Sequence, residues 1–89
     1  MARFELFDID CASLAAGPSA ADTFFDLGMT YSVGRDVPVD LVTAHKWFNI
    51  AAMRGKSEAF RLRREIADQM STAEIAEAQR AARAWLHAS

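Results

Sequence analysis

The sequence predicts an all-α fold made of two antiparallel helical hairpins stacked on each other. Three observations carry that prediction. Apolar residues recur at helical spacing in four segments between residues 19 and 87. Glycine, proline and capping residues punctuate the gaps between those segments. The pair of segments over 57–87 follows the pair over 19–54 at a period of about 35 residues. Apolar residues are 52% and charged residues 25% of the 89, enough for one small core and unlike a disordered chain. The division that follows is an N-terminal arm, 1–17, and a helical domain, 18–89, itself split into units 19–55 and 56–89.

In the arm, Phe4, Leu6, Phe7 and Ile9 stand among Glu5, Asp8 and Asp10, a pattern too short to separate a strand-like arm from a frayed helix. Large apolar side chains are costly to leave in water, so the arm is expected to lie on the helical body or on a second copy of the chain. Gly17-Pro18 closes it. Ser19 can cap the first helix, and Asp22 can reach back to it as in a capping box. That helix is expected over 19–33, with Thr23, Phe24, Leu27, Gly28 and Tyr31 on one face. Gly34 ends it, because glycine takes the left-handed conformation without steric cost.

The connector 35–39 contains Pro38, which bars helix at Val37, and Asp40 caps the second helix, expected over 41–54. Its inner face carries Leu41, Ala44, Trp47, Phe48, Ala51 and Ala52, where the alanines permit close approach. Gly55 stops it. A third helix is expected over 57–70, with Ala59, Leu62, Ile66, Ala67 and Met70 at helical spacing. Ser71-Thr72-Ala73-Glu74 is a capping box opening a fourth helix that runs to residue 87, with Ile75, Ala78, Ala82, Trp85 and Leu86 as its apolar stripe.

Over 27–55 the ordered series L-G-x-x-Y-x-x-G-x-x-V-x-x-D-x-x-x-A-x-x-W-F-x-x-A-A-x-x-G resembles the Sel-1-like repeat, an α/α unit related to the tetratricopeptide repeat. About a dozen positions agree over one unbroken unit. The second unit departs from the pattern: Leu62-Arg63 or Arg63-Arg64 replaces Leu27-Gly28, and the connector shrinks to Met70-Ser71. An arginine cannot sit where two backbones must come close, so this pair is expected to be a degenerate, terminal cap. The resemblance implies a fragment of an α/α superhelix and a protein–protein interaction module, as such repeats serve in bacterial signalling and envelope assemblies.

The residues exclude more chemistry than they suggest. His45, His87 and Cys11 are the only soft metal-ligand types and lie far apart, without the spacing of a zinc site. No catalytic motif or glycine-rich phosphate loop is present, so neither a reaction nor a cofactor is expected. A lone cysteine excludes disulfides within the chain. No segment has the length of a membrane span or a signal-peptide core, which sets the expectation of a cytoplasmic protein.

The net charge is −2, yet residues from 56 onward hold six Lys/Arg against five Asp/Glu, while 1–55 hold four against seven. Arg61, Arg63, Arg64, Arg80 and Arg83 in the last two helices define the alternative function, a small nucleic-acid-binding regulator. Glu58, Glu65, Asp68 and Glu77 interleave with them, as on a solvated, salt-bridged surface, and this balance weighs against nucleic acid. The favoured expectation is a non-enzymatic adaptor binding a protein or peptide. Phe25, Met29, Val42, Ile50 and Met53 fall off the packing faces of the first two helices and are the candidate contacts, for a partner or for a homodimer.

Overall fold

Several helix ends fall on residues suited by their chemistry to that position. In the computed structural model the described residues are 20–88, so the expected arm, Cys11 and the Ser19 cap lie outside them. Among the described residues there are four helices and no strand: α1 (Ala20–Val33), α2 (Leu41–Met53), α3 (Ser57–Ala67) and α4 (Thr72–Ala88). At the end of α1 the Thr30 carbonyl accepts from the amides of Gly34, at 2.9 Å, and Arg35, at 3.0 Å. Gly34 has φ +79°, the left-handed region that an L side chain would strain.

The Asp40 amide then donates to the Tyr31 carbonyl at 3.0 Å, which fixes the angle at which the connector returns. Asp40 is extended and caps α2 through its side chain, accepting from the Thr43 amide at 3.1 Å and the Thr43 hydroxyl at 2.8 Å. At the other end of α2, Lys56 donates to Ala51 and Gly55 to Ala52, the paired bonds of a left-handed glycine cap.

The third helix stops at Ala67, short of the expected residue 70. Gln69 and Met70 donate to Ile66 and Ala67, three residues back, so the last turn tightens before α4 begins. The capping box forms as expected: the Ser71 hydroxyl accepts from the Glu74 amide at 3.1 Å and the Glu74 carboxylate from the Ser71 amide at 2.8 Å.

α2 is the hub, and each of the other helices packs against it. Against α1 the two backbones close up at Gly28, where a β-carbon would stand 2.5 Å from the Phe48 ring. Phe24 stacks parallel on Trp47 at 5.7 Å and meets Trp85 edge-on at 5.0 Å, while Trp47 and Trp85 are edge-to-face at 5.6 Å. This triad ties α1, α2 and α4 together in geometries that aromatic rings favour. Ala44, Ala51, Ala59, Ala78 and Ala82 are buried, and they let the helices approach where the rings leave no room.

The second pair does not repeat the first in its packing. α3 and α4 each close on α2, but their own backbones hardly approach one another. The physical reason lies in the side chains: α3 has no glycine seam, and at that point Arg63 extends to α2, where its Nη1 donates to Asn49 Oδ1 at 2.6 Å.

Burial on nearly every side of α2 also overturns one expectation. Ile50, expected as a contact residue, is fully buried and belongs to the core. His45 is buried as well, with 3% of its surface exposed. A helix flanked by three others has no free side at those positions.

Candidate functional site

The turn that joins α1 to α2 builds a groove of about 480 Å³. Tyr31 contributes from the end of α1, Pro38, Val39 and Asp40 from the connector, Leu41 and Val42 from the first turn of α2. Gln69 and Glu74 face them from the α3–α4 turn. The local hydrogen bonds explain why the groove keeps its shape: the Tyr31–Asp40 backbone bond pins one side, and the capping box pins Glu74 on the other. Val39 leans on Gly34, which has no β-carbon to push it away; one placed there would lie 2.9 Å from Val39 Cγ2.

The lining of the groove combines apolar side chains with two acids. Among the described residues Asp40 and Glu74 are the charged groups that line it, and none of the described lining residues is basic. Val33 and Val39, on either side of Gly34, are each more than half exposed. Tyr31, Leu41 and Val42 are half-buried, so the apolar surface continues from the core to solvent here.

The other candidate contacts are scattered. Phe25 is half-buried, its ring 5.6 Å from that of Phe48, with the Lys56 ammonium over it at 5.1 Å. Met29 is half-buried against the core. Val42 lies in the groove, and Met53 is exposed at the far end of α2. The five residues therefore do not form one patch. Val33, which falls off the packing face of the first helix, and Val39 and Phe60, which were not expected, are exposed large apolar side chains, and the Arg63 guanidinium lies 5.1 Å above Phe60. The sequence signal that could have found Val39 is its place beside Pro38 in a connector too short to fold over it.

Among the described residues two titrating groups are perturbed. His45 is held below its ordinary pKa by burial first and by the Arg63 charge second, and its Nδ1 makes no hydrogen bond. Lys56 is raised, chiefly by its hydrogen bond to Asp22, with which it pairs at 2.9 Å. Asp22 thus fastens the start of α1 to the α2–α3 turn. Of the arginines, Arg61 pairs with Glu65 at 3.0 Å and Arg63 with Asn49, whereas Arg64, Arg80 and Arg83 are exposed.

Among the described residues no His, Cys, Asp or Glu cluster could hold a metal ion, and no helix is long and apolar enough to cross a membrane. Compared with known proteins, the chain matches no family model, no curated protein and no solved structure.

Proposed function

We propose that the protein is a non-enzymatic interaction module of the Sel-1-like, tetratricopeptide-like kind, which binds a protein or peptide through the edge of its first hairpin. The observation that carries this reading is the exposure of Val33 and Val39, of which Val39 also lines the groove between the α1–α2 connector and the α3–α4 turn. Apolar surface left open on a small helical scaffold marks an interaction site more often than a reaction. The stretch 27–55 also fits the roles that the resemblance implies. Gly28 lies under Phe48, Gly34 is left-handed, Asp40 caps α2, and Ala44, Ala51 and Ala52 are buried in the seam.

Val39→Asp and Met53→Asp both alter exposed side chains, so the helices should keep their native circular dichroism. Val39→Asp should abolish recovery of the partner with the tagged chain from its source cells, and Met53→Asp should leave it intact. Recovery that survives Val39→Asp contradicts the reading. Recovery that collapses with salt and with Arg80→Ala would instead support the nucleic-acid alternative.

A further inference from the structure

We propose that the groove at the α1–α2 turn takes an extended peptide segment carrying a lysine or arginine next to an aliphatic side chain. This rests on the reading of the protein as an interaction module and names the chemistry of its partner. The volume, about 480 Å³, is that of a ligand-sized cleft. Tyr31, Leu41 and Val42 in its lining offer apolar contact, and Asp40 and Glu74 offer two carboxylates, with no cation among the described lining residues. An aliphatic side chain seated against those apolar residues would bring a neighbouring ammonium or guanidinium towards a carboxylate, whereas an acidic neighbour would meet like charge.

Both carboxylates are fixed before any ligand arrives. Asp40 is held by the Thr43 amide and hydroxyl, and Glu74 by the Ser71 amide. A carboxylate has about four acceptor positions, so these caps leave lone pairs for a cation. Little side-chain freedom is then lost on binding, which favours recognition by these two groups over flexible surface acids.

The test uses the full chain, isotopically labelled, titrated by two-dimensional NMR with three blocked tripeptide amides: Leu-Lys-Leu, Leu-Glu-Leu and Gly-Lys-Gly. The expected result is that Leu-Lys-Leu shifts the amides of Tyr31, Val39, Leu41, Val42 and Gln69 at millimolar concentration. Leu-Glu-Leu should bind about fivefold more weakly, the upper end of what one exposed ion pair contributes. Gly-Lys-Gly should bind too weakly to saturate. The variants Asp40→Asn and Glu74→Gln keep capping side chains while removing charge, so together they should abolish the lysine preference in a folded protein.

Equal binding of the lysine and glutamate peptides would overturn the proposal, as would equal binding of n-butylamine, which would make the groove a site for any small cation. Absence of shifts with all three peptides would overturn it too. Shifts confined to residues around Met53 and Phe60 would overturn the groove assignment while leaving the interaction-module reading in place.

Discussion

At Gly28 only a hydrogen atom fits between the α1 backbone and the Phe48 ring, because a β-carbon would stand 2.5 Å from that ring. Phe48 is itself 1% exposed and has nowhere to move. Gly28→Ala should therefore cost about 1–3 kcal/mol in overpacking, offset by about 1 kcal/mol of helix propensity, a net loss measurable by urea unfolding. Adding Phe48→Leu should recover part of it, and strictly additive losses would contradict the contact. His45 makes the second residue-scale prediction. Its folded pKa lies below the ordinary 6.5, so on acidification the unfolded chain takes up a proton before the folded one does. Stability should be full above about pH 6.5 and fall as pH drops through the window between that value and the folded pKa. His45→Leu should flatten this dependence without loss at pH 7, since a buried polar atom lacking a partner costs about 1–3 kcal/mol. A variant as acid-sensitive as the parent would show that other groups set the profile.

At the scale of the element, the caps were legible in the sequence because they depend on neighbours a few residues apart. Gly34, Asp40, Gly55 and the Ser71–Glu74 box all act where their spacing places them. Ser71→Ala should lower stability by about 1 kcal/mol in chemical denaturation, while Glu74→Gln should change it little, because glutamine serves the same box. Equal losses from both would mean that the Glu74 charge, and not its hydrogen bond, supports α4. What periodicity could not supply was the number of neighbours around each helix. It separates apolar positions from polar ones, but it cannot say that α2 is enclosed by three partners, and so it left Ile50 facing outward. The Lys56–Asp22 and Arg63–Asn49 contacts were hidden for a related reason: they join residues from different helices or turns, and nothing local announces them.

The whole molecule hangs on the aromatic triad, since Phe24, Trp47 and Trp85 bring three helices to one point. Trp85→Ala should cost about 3 kcal/mol, a large share of the stability of a domain this small, and α1 and α4 should lose protection from hydrogen exchange together. Loss of protection in α4 alone would show that the triad does not unite the fold. The sequence pointed to these rings as core, and it pointed to four helices. The second unit was the harder part, because Arg63 in place of a glycine was visible but the wide spacing of α3 and α4 that accompanies it was not. The groove depends on that arrangement, for it is the α3–α4 turn that brings Gln69 and Glu74 opposite the connector. The claim that this edge is the working surface is tested most directly by photo-crosslinking in the source cells, with a photoreactive residue at Val39 and a control at exposed Glu77 on α4. The account predicts one discrete protein adduct from position 39 and none from position 77. No adduct from position 39, or the same adducts from both, would contradict it.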